Sequence, residues 1–129
     1  MQVEIVTPES ITFQGQADMV IVRSITGEMG ILSDHETMVT ALGFGELRLY
    51  TGETVSERFG VFGGFLEVRD NIVSVLSDDA IAENEIDKAT AETDFADLQA
   101  RLGPEKNLDD PQKATLRRAQ VLAQMAARV

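Results

Sequence analysis

The 129-residue sequence predicts a β-sandwich of about ten strands followed by an antiparallel two-helix hairpin. Three observations carry that expectation. Up to about residue 83 the apolar residues come in short, alternating or β-branched runs. Nine of the ten glycines fall in the same stretch, spaced as turns and bulges require. Beyond residue 83 the apolar spacing switches to steps of three and four, the period of a helix.

The strands can be taken in order. "VEIVTP" alternates weakly, and "ADMVIVRSI" is β-branched enough to suggest a strand packed on both sides. "GELRLYTG" sets Leu47 and Leu49 on one face and Glu46, Arg48 and Tyr50 on the other. In "VSERFGVFGGFLEVRDNIVSVLSD", Phe65, Glu67 and Arg69 oppose Leu66 and Val68. A hairpin turn is expected at Asp70-Asn71, residue types that tolerate positive φ. Gly63 and Gly64 mark a bulged strand that another backbone or a bulky side chain can approach closely. Short strands with frequent turn signals indicate an antiparallel sandwich or flattened barrel.

The helical part has its own punctuation. Ala91, Phe95, Leu98 and Leu102 form one stripe, with Asp87 as its N-cap and Gly103-Pro104 as its stop. A second helix starts with Asp110 as cap and Pro111 in the first position, where a missing N–H costs nothing. Leu116, Ala119, Leu122, Ala123 and Ala126 make a narrow, alanine-rich seam. Alanine buries little area, and burial yields only about 25 cal/mol per Å². The expectation is a sandwich over residues 1–83 and a weakly docked, mobile hairpin over 84–129.

Composition narrows the function classes. There is no cysteine, hence no disulfide framework and no thiolate chemistry. "MQVEIVTPES" has neither the basic nor the apolar region of a signal peptide, so none is expected. No apolar run approaches the roughly 20 residues that span a bilayer. The net charge of −11 argues against nucleic acid. That charge is uneven: residues 111–129 carry Lys113, Arg117, Arg118 and Arg128 and no acid, so +4 there stands against −15 on residues 1–110. An acidic body with a basic tail suits contact with an acidic surface, or simply a solvated helix face.

The only histidine lies in "GEMGILSDHETMVT", residues 27–40. Ser33-Asp34-His35 has the letters of a catalytic triad, but adjacent residues of an extended chain point to opposite faces. One histidine and no cysteine leave no metal set. "GFGELR" lacks the third glycine of a dinucleotide fingerprint and does not open a helix. No G-x-x-x-x-G-K occurs. Asp78-Asp79 and Asp109-Asp110 sit at element ends, where capping is the ordinary role. No catalytic constellation emerges, and no cofactor is expected. The loop reads better as a binding surface, with Glu28 and His35 at its two ends on one edge of the sandwich. On the residues alone, His35 hydrogen-bonding within its own sandwich is the simpler role.

"GEMGILSDHETMVTALGFGELRL", "GVFGGFLEVRDNIVSVLSD" and the "EID" that opens the first helix, with their spacing, resemble the epsilon subunit of bacterial F-type (rotary) ATP synthases over essentially the whole chain. The resemblance implies a ten-stranded β-sandwich plus a helical hairpin, without catalytic activity. It implies a place at the foot of the central stalk, bound to the gamma subunit and seated on the c-ring. The complex would hold the chain peripherally at the cytoplasmic face of the inner membrane. Glu28 and His35 match loop positions that face the ring, which displaces the simpler role for His35. Phe62, Gly63, Gly64 and Phe65 match a region close to gamma. In many relatives the hairpin can extend along gamma, and its basic second helix then meets acidic segments of the alpha and beta subunits and blocks ATP hydrolysis. Here that set is Lys113, Arg117, Arg118 and Arg128.

Two departures stand out. Prolines commonly flank the histidine region in the family, whereas this chain has Ser33-Asp34 and Glu36-Thr37. Some relatives bind ATP at the hairpin through I/L-D-x-x-R-A, matched here by Ile86, Asp87 and Ala91 but with Thr90 in place of the arginine. Loss of that cation predicts weak or absent ATP binding. The alternatives are a free-standing nucleotide-sensing regulatory module, against which Thr90 speaks, and a hydrolase centred on His35, which lacks partner residues.

Overall fold

A computed structural model describes residues 1–128. Ten strands come first: β1 (Gln2–Thr7), β2 (Ser10–Gln16), β3 (Met19–Ser24), β4 (Gly27–Leu32), β5 (Met38–Ala41), β6 (Phe44–Thr51), β7 (Thr54–Phe62), β8 (Phe65–Arg69), β9 (Ile72–Leu76) and β10 (Ala80–Ala82). Two helices follow, α1 (Lys88–Leu102) and α2 (Asp110–Ala126), each preceded by a single 3₁₀ turn. One sheet has the order β2-β1-β9-β8-β5 and the other β10-β7-β6-β3-β4.

The predicted sandwich is observed, with one parallel pair, β1 against β9, in an otherwise antiparallel pairing scheme. A parallel neighbour needs a long crossover, and here seven intervening strands supply it. The core lies between the sheets. Val3, Ile5, Val20, Ile31, Leu47, Leu49, Leu66, Val73 and Val75 are fully buried there, each contributing about 1.5–3 kcal/mol relative to exposure.

Leu47 and Leu49 point inward from β6, and Leu66 and Val68 from β8, as their alternation requires. β3 differs from the expectation of two packed sides. Val20, Val22 and Ser24 face the core, while Met19, Ile21 and Arg23 face outward. Composition alone could not separate these cases, because Ile21 is apolar on either reading.

The turn at Asp70 and Asn71 has φ of 51° and 62°, the left-handed pair that matches strand twist. Between β7 and β8 the constraint is steric as well. Gly64 has φ of 100°, and a Cβ there would lie 2.1 Å from the Leu76 carbonyl oxygen.

Asp87 caps α1 by accepting from the Thr90 N–H at 2.9 Å, and Gly103 ends the helix at φ 73°. The cap of α2 is Asp109, not Asp110, which places Pro111 second in the helix. Asp109 accepts from the Gln112 N–H, and the Gln112 side chain accepts from the Asp109 N–H, so two orphan donors are satisfied together.

Gly64→Ala is expected to destabilise the chain by at least about 3 kcal/mol, since backbone must move. Gly52→Ala, at φ 62° with open space around it, should cost only about 1 kcal/mol. Paired urea melts of the two variants measure the difference.

Candidate protein-binding surfaces

Three surfaces are built from these elements. The first is the loop after β4. His35 donates its backbone N–H to the Leu32 carbonyl at 3.2 Å, and the Asp34 N–H donates to Asn71 Oδ1 at 2.8 Å. The β8–β9 turn therefore holds the loop, with Asp34 itself at φ 63°. His35 Nδ1 lies 2.8 Å from the Glu36 carbonyl oxygen. A carbonyl only accepts, so Nδ1 carries the proton. Neither Ser33 nor Asp34 engages the imidazole.

Glu28 lies near the other end of β4, the edge strand of its sheet, on the outer face. It accepts from Arg48 Nη2 at 3.0 Å. Glu28 and His35 thus share one edge but lie at opposite ends of its strand.

The second surface is the outer face of the β2-β1-β9-β8-β5 sheet. Register places Ile11, Val6, Leu76, Phe65 and Ala41 in one transverse row across all five strands. Phe65 is 58% exposed, Ile11 57% and Leu76 52%. Exposed rows of this kind mark contact sites more often than scattered apolar residues do.

The four candidate gamma-contact residues are divided. Phe65 belongs to this row, whereas Phe62, three residues earlier, is 5% exposed on the other sheet. Gly63 and Gly64, both at positive φ, carry the chain between the two sheets. Row membership was legible only once strand order was known, because its residues come from positions 6 to 76.

The third surface is α2, and the structure corrects the picture of a hairpin with little to hold it. The predicted seam is real: Leu116, Ala119 and Leu122 line grooves shared with α1. A second stripe, Val121 and Met125, packs on the sandwich against Phe62, with Phe44, Ile81 and Ile86 around it. Met125 is fully buried. One helix carrying two apolar stripes presents its stronger periodicity first, and the i, i+4 pair Val121–Met125 was hidden beside the alanines.

Polar contacts frame the docking. Arg118 donates to both carboxylate oxygens of Asp79, at 2.5 and 3.3 Å, and lies 4.9 Å over the Phe62 ring. Arg128 pairs with Glu46 at 2.7 Å, and Glu46 also takes Arg58 at 2.8 Å. Arg117 donates to the Phe44 carbonyl at 3.4 Å. Three of the four candidate basic residues are therefore engaged intramolecularly, while Lys113 is exposed.

The candidate nucleotide residues are likewise dispersed. Ile86 packs under α2, Asp87 is occupied as a cap, and Ala91 lines a groove of about 200 Å³ between the helices. Asp94, Asp97, Arg101 and Arg118 line the same groove. Among the described residues no group of three or more His, Cys, Asp or Glu side chains could hold a metal ion, and no helix is long and apolar enough to cross a membrane.

A ten-stranded sandwich with a docked hairpin and an exposed apolar row is the architecture of an interaction subunit. Residues 1–83 match the family model described as the β-sandwich domain of the ATP synthase delta/epsilon chain. The ATP synthase epsilon chain of Herpetosiphon aurantiacus is 40% identical over 134 residues, covering 98% of this chain and 93% of that one. The epsilon chain of Lacticaseibacillus casei is 36% identical over 128 residues, covering 98% and 88%.

Among solved structures, a chain of the Euglena gracilis mitochondrial ATP synthase (OSCP/F1/c-ring) superposes with TM-score 0.76 at 23% identity, covering 98% of this chain and 80% of that one. A chain of the Tetrahymena thermophila mitochondrial ATP synthase central stalk and c-ring gives 0.57 at 17%, covering 98% and 93%. At those identities the likeness is one of fold. The chain belongs to the ATP synthase epsilon chain family and is a subunit of that membrane-associated complex.

Asp79→Asn should weaken hairpin docking by about 1 kcal/mol, the scale of a half-exposed ion pair. Amide exchange in α2 is then expected to quicken about fivefold. The Asp87 carboxyl is held below its ordinary 3.8, first by the Thr90 N–H and then by the Thr90 hydroxyl. A lowered folded value makes the cap's contribution complete above pH 3.8 and lost as pH falls through the lower value. The Thr90 amide resonance should follow that loss in acid, and Asp87→Asn should abolish the dependence.

Proposed function

We propose that the chain is a non-catalytic coupling subunit, seated between the gamma subunit and the c-ring at the cytoplasmic face of the membrane. The observation that carries this reading is the bare apolar row on the sheet opposite the hairpin, with Phe65 in it. Such a row is suited to burial against a long partner such as gamma. Phe62 then serves the hairpin, and Phe65 and the flanking glycines serve the partner.

Glu28 and His35, spaced along one edge, face the polar loops of the ring. His35 Nε2 and the Glu28 carboxylate supply hydrogen-bonding and charge at two separated points, which resists slip under torque.

The sandwich over 1–83 forms the seat, and the hairpin over 84–129 is a regulatory element. When released, Lys113, Arg117, Arg118 and Arg128 would turn to acidic segments of the alpha and beta subunits and restrain ATP hydrolysis. ATP is at most a weak ligand here, since Thr90 offers no cation and the Arg101 and Arg118 that line the inter-helix groove are offset there by Asp94 and Asp97.

Phe65→Asp in the full chain is expected to lower affinity for recombinant gamma by about thirtyfold, the loss of one central aromatic anchor. Unchanged binding would remove the row from the interface. Glu28→Lys should leave gamma binding intact and reduce ATP-driven proton pumping in the reconstituted complex. Arg117→Gln together with Arg118→Gln should raise hydrolysis by that complex, whereas an unaltered rate would make the helices purely structural.

A further inference from the structure

A cavity of about 190 Å³ opens between α2 and the outer face of the β10-β7-β6-β3-β4 sheet, lined by Arg23, Arg48, Arg117, Arg128, Glu28 and Glu46. Four guanidiniums meet two carboxylates in a chain whose net charge is −11. Gly45 explains how Arg23 reaches the site. A Cβ at Gly45 would stand 2.9 Å from Arg23 Cβ and Cδ, so the arginine stem lies across the bare glycine.

The local pairing leaves positive charge over. Glu28 takes Arg48 Nη2, but Arg48 Nε is buried with no partner. Glu46 is shared by Arg58 and Arg128. Among the described residues no carboxylate reaches ion-pair distance of Arg23 or Arg117. Arg117 is burdened by burial first and by repulsion from Arg23 second, with Glu105 opposing both.

We infer that Arg23, Arg48 and Arg117 form a binding site for a phosphate-type oxyanion that bridges the sandwich to α2. Arginine forks donate in fixed geometry, and a tetrahedral oxyanion has acceptors enough for three of them at once. The site shares no residue with the groove between α1 and α2, where Asp94 and Asp97 offset Arg101 and Arg118. Its parts come from β3, β6 and α2, so it exists only while α2 is docked. A bound anion therefore stabilises the docked hairpin by mass action. The site does not depend on the central-stalk assignment and is testable on the isolated full chain.

The experiment is thermal unfolding at constant ionic strength with inorganic phosphate, and separately with ATP. The parent chain, Arg23→Met, Arg117→Met and a control, Arg101→Met, are compared. In the parent, phosphate at ten times its Kd should raise the folded-to-unfolded ratio about elevenfold. Arg23→Met keeps the stem over Gly45. It and Arg117→Met should each weaken binding at least tenfold. Arg117→Met also gives up the bond to the Phe44 carbonyl, whereas Arg23→Met should raise the melting temperature of the anion-free chain by relieving repulsion. A purely structural arginine would do the reverse. Arg101→Met should behave as the parent.

Stabilisation by phosphate and ATP alike assigns free phosphate as sufficient; stabilisation by ATP alone, with the same arginine dependence, assigns a nucleotide phosphate. No stabilisation by either, an unaltered response in Arg23→Met, or loss in Arg101→Met overturns the site.

Discussion

Phe44 and Phe62 face one another across β6 and β7 on the outside of the sandwich, with ring centroids 5.5 Å apart. A two-layer sandwich normally gives its outer faces to water. Two phenyl rings there demand a cover, and α2 supplies it with Val121 and Met125. The hairpin is thus a third layer over one sheet. Ion pairs from Arg118 and Arg128 flank the apolar contact, so the cover is charged at its margin. The charged margin makes the docking sensitive to salt and to competing acids.

The two outer faces have opposite fates for that reason. One is sealed by the chain's own helix. The other keeps Ile11, Leu76 and Phe65 in the open, which is costly for a solitary protein and useful for a subunit. Two neighbouring stretches of backbone serve the two faces. Phe62 belongs to the sealed side and Phe65 to the open one, and only the left-handed Gly63 and Gly64 let the chain change sheets so abruptly. On the proposed function, docking and inhibition draw on the same arginines, so each state excludes the other.

Much of this was legible beforehand, and the limits are instructive. Leu47 against Arg48, Leu66 against Glu67, the Asp70-Asn71 turn and the Asp87 cap are local features, decided within a few residues by period and by φ. Asp109 as the cap of α2 was missed by one position because either aspartate fits the composition. The Gln112 side chain, returning its own bond, settles the choice. Val121 and Met125 were overlooked because a helix with two partners carries two stripes, and periodicity advertises only the stronger. The candidate site divided in the same way. His35 was marked by its isolation in sequence, whereas its anchoring through Asn71, thirty-seven residues away from Asp34, left no trace there.

The sequence by itself determined the ten-strand-plus-hairpin class, the family, the turn chemistry and which side chains alternate inward, since these follow from spacing along the chain. Only the tertiary structure decided which outer face is covered, which apolar residues align into a row, and which arginines are paired or left over. Those depend on strand order, and strand order joins residues such as Val6, Leu76 and Ala41 through pairings that no local period records.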